Sequence, residues 1–174
     1  YSAYDASGNA AKQEVTRYAD DGRASLLDYK EIINTYDDPS GAWRARGLVG
    51  TATILTYTRK GGELAGAQKV NYAGYSDWGN ALLQTVEKYG TYDAGTKTLG
   101  DLVDRKIIES AYSDENRSRI GRSMVTLYGA EGEFIERQEI AYLSYDAWGN
   151  ALDQNVIRRG ADGGVLDIKE TSDL

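Results

Sequence analysis

The sequence lacks the residues on which most catalytic and metal-binding sites depend. Its 174 residues include no histidine and no cysteine, so the usual pairs of nucleophile and base and most transition-metal sites cannot be built. We therefore predict no cofactor, no metal and no enzymatic activity. Two alternatives stay open because 27 acidic residues are present: an enzyme that uses a pair of carboxylates, and a calcium site at Asp20–Gly22 or Asp37–Asp38.

Long apolar runs and a basic surface are also missing. No stretch approaches the roughly 20 apolar residues of a membrane helix, so we predict no membrane insertion. The net charge of −7 disfavours nucleic acid, whose phosphates require a basic face. Without cysteine, the compartment is inferred from repetition and from richness in Tyr, Thr, Gly and Asn, which favour an extracellular or cell-surface location.

Repetition is the most informative feature that the sequence does have. Gly62–Val86 and Gly132–Val156 are identical at 12 of 25 aligned positions, which indicates copies of one unit of about 70 residues. We predict one repeat array over residues 1–174, with about two and a half copies at 4–74, 75–144 and 145–174. The chain opens within a repeated phrase and ends within a repeat, so we expect neighbouring repeats on both sides.

A short phrase, Tyr-Asp-x-x-Gly-Asn, begins each copy, with serine in place of aspartate in the second copy. Aspartate caps local backbone amides, and Gly or Asn tolerates positive φ, so the phrases predict hairpin turns. The residues that define these turns are Tyr4, Gly8, Asn9, Tyr75, Trp78, Gly79, Asn80, Tyr145, Trp148, Gly149 and Asn150.

The pattern between the phrases predicts an all-β fold. A tyrosine recurs every 14 to 21 residues, which suits one strand plus one turn, and each copy then holds roughly four strands. Residues 24–36 and 99–112 also fit one face of a helix, but strand is favoured, and the single proline, Pro39, is predicted to lie in a turn. We predict an antiparallel β-hairpin meander that forms an extended or spiralling sheet.

The phrase Tyr-Asp-x-x-Gly-Asn, at Tyr4–Asn9 and Tyr145–Asn150 and with serine at Tyr75–Asn80, resembles the signature of the YD-repeat (Rhs-like) proteins. These are large bacterial surface and toxin-associated chains. The resemblance implies β-hairpin repeats that roll into long sheets or spiral shells, without catalysis in the repeats themselves.

Three kinds of function follow from these patterns. The leading hypothesis is a structural repeat module, with a filament as one form of it, whose partners are neighbouring repeats or copies of itself paired through edge strands. The alternative is a carbohydrate- or protein-binding adhesin module that uses loop Trp and Tyr side chains. The third is the carboxylate enzyme. For Trp78 and Trp148, we expect each ring to fold over its own hairpin and cover the adjacent strand, rather than to contact a ligand.

Overall fold

The computed structural model describes residues 3–20, 22–38, 41–112 and 119–172. In these ranges the chain forms an eleven-stranded antiparallel meander that does not close, together with a separate two-stranded sheet. The prediction of an all-β antiparallel meander is therefore confirmed. The strands of the large sheet are β1 (Ala3–Tyr4), β2 (Ala10–Tyr18), β3 (Leu26–Thr35), β4 (Thr51–Tyr57), β5 (Leu64–Tyr75), β6 (Ala81–Tyr89), β9 (Leu102–Tyr112), β10 (Ile120–Gly129), β11 (Phe134–Tyr145), β12 (Ala151–Arg159) and β13 (Val165–Ser172).

The remaining elements lie in two connections. A short hairpin of β7 (Tyr92–Asp93) and β8 (Thr98–Leu99) occupies the connection between β6 and β9, and α1 (Ala42–Ala45) lies between β3 and β4. Within the described ranges, no helix is long and apolar enough to cross a membrane. The strands divide into two compact units, one of residues 3–72 with 86–103 and the other of residues 73–85 with 104–172.

Both stretches that fitted either helix or strand are extended. Residues 26–35 form β3 and residues 102–112 form β9. β3 pairs with β2 on one side and with β4 on the other, so its backbone groups are hydrogen-bonded along both edges. Pairing of this kind overrides a local apolar spacing that also suits a helix, because tertiary contacts outweigh weak local preferences.

Tyrosines mark the ends of strands. The strands β2, β4, β5, β6, β9 and β11 end at Tyr18, Tyr57, Tyr75, Tyr89, Tyr112 and Tyr145. A tyrosine suits this place because its ring packs on the sheet while its hydroxyl reaches water or a polar partner at the edge. The spacing of tyrosines in the sequence is thus the spacing of the strands.

The best-buried apolar side chains of the described residues belong to the first unit. Leu55 is 1% exposed and lies directly opposite Ala67 across the β4–β5 pair, while Ala52 lies opposite Val70. Leu55 and Ala52 are three residues apart, so they point to opposite faces of the sheet. Apolar burial therefore occurs on both faces of β4, and Asn34 in the neighbouring strand is satisfied by donating to the Ala10 carbonyl (3.0 Å).

The connection between β3 and β4 is locked onto the sheet by backbone hydrogen bonds. The Gly50 N–H donates to the Thr35 carbonyl (2.8 Å), and the Tyr72 N–H donates to the Gly50 carbonyl (2.9 Å). A Cβ atom on residue 50 would lie 2.4 Å from the Asp37 carbonyl oxygen, so this close approach requires glycine. The turn predicted at Pro39 lies outside the described residues, and no sequence pattern predicted α1.

The second unit has a more polar interior. Its best-buried side chains include Ser123 and Thr126 of β10. Charged side chains lie across its strands, where Glu139 forms ion pairs with Arg122 (3.3 Å) and Arg159 (3.6 Å). The two units are thus stabilised differently although their strands follow one pattern.

Replacement of the most buried leucine tests how much the core of the first unit contributes to stability. We expect Leu55→Ala to lower the free energy of unfolding by about 2–5 kcal/mol, the usual cost of a cavity at a packed leucine site. The measurement is urea denaturation followed by circular dichroism. Leu143→Ala is the matched control, because Leu143 is 62% exposed and its loss should change stability by no more than about 0.5 kcal/mol. Equal losses in the two variants would contradict the described core.

Candidate functional site

The three repeated phrases form the same hairpin turn. In each turn the first residue donates its N–H to the carbonyl of the fifth, at 2.8 Å for Asp5–Asn9, 2.9 Å for Ser76–Asn80 and 2.9 Å for Asp146–Asn150. The glycine in the fourth position has φ of 83°, 85° and 92° in the three copies. A side chain is strained in that left-handed region, so glycine is required and the loop closes in a fixed register.

The first residue of the turn adds a side-chain cap. The carboxylate of Asp146 accepts hydrogen bonds from the Trp148 N–H (2.9 Å), the Asn150 N–H (2.8 Å) and the Asn150 side-chain amide (2.7 Å). In the second copy the hydroxyl of Ser76 accepts only one described bond, from the Asn80 N–H (3.2 Å). The amide of Asn150 is the main reason that the pKa of Asp146 lies below its ordinary value of 3.8.

The first turn has the same side-chain cap and also contacts the connection between β3 and β4. Asp5 accepts from the backbone N–H groups of Ser7 and Asn9, both at 2.9 Å, and the Asn9 backbone hydrogen bond is the main cause that lowers the pKa of Asp5. The Asn9 side chain donates to the Arg44 carbonyl (2.9 Å), and the Arg44 guanidinium lies 3.7 Å from the Asp5 carboxylate. The first phrase therefore acts as an anchor for residues 41–48.

An open groove lies beside the third turn, within the second unit. It has a volume of about 550 Å³. Its lining residues are Arg119, Ile120, Tyr142, Tyr145, Ala147, Trp148, Gly149 and Ala151. Three of the residues predicted to define the third turn, Tyr145, Trp148 and Gly149, thus contribute to one concave surface.

Tyr145 is the centre of this groove. Its hydroxyl donates to the Ile120 carbonyl, its ring stacks on Tyr142 with centroids 6.2 Å apart and planes 20° apart, and the Arg119 guanidinium lies 5.2 Å from its ring centroid. Arg119 is held in turn by donating to the Asp146 carbonyl (2.9 Å). Burial raises the pKa of the Tyr145 hydroxyl, which keeps it a neutral donor.

The expectation that each tryptophan covers its own hairpin is wrong for Trp148. Its side chain is 87% exposed, and Trp78 in the second copy is 62% exposed. An indole ring has a large apolar area. An exposed Trp beside a groove therefore contributes little to packing within the fold and offers a surface for contact with a ligand. The sequence analysis identified Trp148 and Tyr145 but missed Arg119 and Tyr142. No local sequence pattern indicates that Arg119 and Tyr142 lie beside the third turn.

A second cluster of chemistry-bearing side chains lies on one face of β2 and β3 in the first unit. Glu14 and Glu31 face each other across the strand pair, and Lys12 lies 3.7 Å and 3.4 Å from their carboxylates. Lys60 bonds Glu14 at 2.7 Å and is the main reason that the pKa of Glu14 is lowered. Tyr29, which donates to Glu31 at 3.4 Å, is only 3% exposed.

This cluster has the composition of a carboxylate active site, but its groups are not poised for proton transfer. Burial raises the pKa of the Tyr29 hydroxyl, while the lysine contact keeps Glu14 ionised, so neither group is poised to exchange a proton near neutral pH. We interpret the cluster as an ion-paired packing layer beneath Lys60, whose ammonium lies 5.6 Å from the Tyr29 ring centroid.

The aspartates considered for calcium are engaged in other contacts. Asp20 accepts from the N–H groups of Ala24 (3.1 Å) and Ser25 (2.9 Å) at a hairpin turn, and Asp37 pairs with Arg44 (3.3 Å). Asp21 lies outside the described residues. In the ranges that the structure does describe, no group of three or more acidic side chains is arranged to hold a metal ion.

Comparison with known proteins shows remote structural likeness and no related sequence. No protein-family model matches the chain, and no curated protein matches it. A crystal structure of a protein of unknown function from Bacteroides fragilis is similar over 93% of each chain, with 11% sequence identity and a TM-score of 0.38. A likeness at that level carries no functional argument, and the resemblance to YD-repeat proteins stays a prediction from the three phrases.

The difference between the second and third turns can be tested by exchanging their caps. Because the folded pKa of Asp146 is below its ordinary 3.8, its carboxylate stabilises the fold fully above that value and loses this effect as pH falls through the lower folded pKa. We expect Asp146→Ser to lower the melting temperature at neutral pH and Ser76→Asp to raise it. Thermal scans by circular dichroism at neutral and strongly acidic pH provide the measurement. Shifts that persist undiminished in acid would contradict the role of the carboxylate.

Proposed function

We propose that this chain is a non-catalytic structural module of an extracellular or cell-surface protein, in which tandem hairpins extend one sheet by continued strand pairing. The observation that carries the proposal is the pairing of β13. This strand resembles β3 in sequence and pairs in the same register, but in the described residues only one of its edges is paired.

The equivalence of β13 and β3 is fixed by their neighbours. Leu166–Glu170 repeats Leu27–Glu31 at Leu, Asp, Lys and Glu. Lys30 lies opposite Val15 of β2, and Lys169 lies opposite Val156 of β12, where Val15 and Val156 follow their turns at the same distance. The two strands therefore occupy the same place in successive copies.

One strand position, which is Tyr29 in β3, Arg105 in β9 and Ile168 in β13, shows which contact is missing at the unpaired edge of β13. In β3, Tyr29 lies opposite Tyr57 of β4, with ring centroids 6.2 Å apart. In β9, Arg105 lies opposite Tyr128 of β10, with its guanidinium 5.3 Å from the ring centroid. In both internal copies the next strand covers this residue with a tyrosine.

Ile168 holds the same position in β13 and is 60% exposed. Leu166, which lies at the register shift of the same strand, is exposed as well. The charges of β13 are not an adaptation that protects an edge, because Asp28, Lys30 and Glu31 are their counterparts in β3, which is paired on both sides. Ile168 lies opposite Ile157 of β12 but has no strand on its other side in the described residues, and an exposed apolar residue at such an edge favours addition of a strand.

The occupant that fits this edge is a strand of the β4 and β10 type, with a tyrosine opposite Ile168. We expect a synthetic peptide of the β10 sequence, residues 120–129, to bind the full chain, as measured by fluorescence anisotropy. A scrambled peptide of the same composition is the control, because only the ordered sequence places tyrosine in register with Ile168. Equal binding of the two peptides would contradict pairing in register.

The same edge should govern association between copies. We expect the chain to show concentration-dependent assembly by light scattering, and regular filaments by negative-stain electron microscopy. Ile168→Lys should weaken that assembly, since a charge facing outward on an edge strand blocks further pairing. Leu143→Lys is the matched control, since Leu143 is equally exposed but lies at a bulge in an internal strand. The proposal would be contradicted if the chain stayed monomeric at every concentration and also did not bind the β10 peptide.

A further inference from the structure

The groove beside the third turn presents an exposed ring on a rigid loop. The backbone N–H of Trp148 is fixed to the Asp146 carboxylate (2.9 Å), and the neighbouring Gly149 N–H donates to the Asp146 carbonyl (3.2 Å). The loop is therefore ordered by the turn itself, while the indole contributes little to packing. Because the backbone of residue 148 is already ordered, a ring that stacks on the indole has to order only this side chain and not the loop.

The groove also contains a cation whose charge is not neutralised by its described contacts. Arg119 donates to the Asp146 carbonyl and lies over the Tyr145 ring, and neither of these partners is anionic. The Asp146 carboxylate is already occupied by N–H donors of Trp148 and Asn150. Among the described residues no acceptor is found for the remaining N–H groups of the guanidinium, which can therefore bind an acceptor from a ligand.

The floor of the groove is preorganised. Tyr142 and Tyr145 stack on each other, and the Tyr145 hydroxyl is fixed by the Ile120 carbonyl. The groove is open and about 550 Å³ in volume, within the range of roughly 300–1,000 Å³ that small-ligand sites occupy. Stacked rings, a fixed cation and a shallow open shape together suit a ligand that is flat on one side and polar at its rim.

We propose that this groove binds a pyranose sugar that carries a carboxylate. The apolar C–H face of the ring would stack on the indole of Trp148, and the carboxylate would receive paired N–H bonds from the guanidinium of Arg119. A planar fork of donors recognises a carboxylate with two parallel bonds, which lysine cannot provide. This inference is independent of the strand-pairing proposal, since none of the residues that line the groove belongs to β13.

Isothermal titration calorimetry of the full chain with three sugars tests the ligand class. A hexuronate trimer and a sialylated lactose supply the carboxylate from two different sources, and a neutral trimer of glucose lacks it. We expect one or both acidic sugars to bind at least about tenfold more tightly than the neutral one, with an affinity that falls as salt is added. Equal affinity for the neutral sugar would overturn the assignment of the carboxylate, and no binding of any of the three would overturn the site.

Three groove variants and two control variants test the residues. Trp148→Ala and Arg119→Gln should each weaken binding of the acidic sugar by about tenfold or more, and Arg119→Lys should recover only part of the loss. The controls are Trp78→Ala, at the equivalent position of the second copy, and Arg122→Gln, which removes an arginine paired with Glu139 (3.3 Å). The controls should change the affinity less than about twofold. Circular dichroism establishes that every variant is folded, and equal losses in controls and groove variants would overturn the proposal.

Discussion

The structure depends on a hairpin turn that closes in only one register. Five loops share it: in the turns that begin at Asp5, Ser76, Gly129, Asp146 and Gly160, the first residue donates its N–H to the fifth carbonyl, and a glycine in the fourth position donates back to the first. Because side chains alternate between faces, a slip of one residue would move every side chain of a strand to the other face. A turn of fixed length therefore preserves the faces from copy to copy.

A fixed register lets the side chains differ while the backbone stays the same. The position of Tyr29 is filled by Arg105 in the second copy and by Ile168 in the third, and the first two of these pack on a tyrosine of the following strand. A tyrosine face accepts an aromatic ring, a guanidinium or an aliphatic chain, since all three make favourable contacts with it. Tyrosine-rich repeats can therefore diverge at one side of a contact without losing it.

The fold was predictable from the sequence to the extent that it is set by turns and alternation. Phrases such as Tyr145–Asn150 contain all the residues that form the turn, so the hairpin meander could be predicted from them. The strands at 26–35 and 102–112 were ambiguous alone, because pairing with neighbours decides between helix and strand. The helical turn at Ala42–Ala45 and the place of Arg119 depend on contacts between segments far apart in sequence, which no local pattern reports. Trp148 was placed wrongly because a ring near a turn has no local signal of burial.

The first and third turns show how one scaffold yields two different surfaces. A connection from elsewhere in the chain brings an arginine to each: Arg44 to the first turn and Arg119 to the third. Arg44 lies 3.7 Å from the carboxylate of Asp5 and 3.3 Å from that of Asp37, so its charge is neutralised and it serves as a clasp. Arg119 instead meets the main-chain carbonyl of Asp146 and keeps its charge. Where the first copy has Ser7 the third has Trp148, so the third turn brings an exposed ring together with an arginine that has no ion pair among the described residues. The ligand site that we propose at the third turn thus depends on one tryptophan on the loop and on one arginine from another connection, and a repeat scaffold can gain a separate site in this way without altering its sheet.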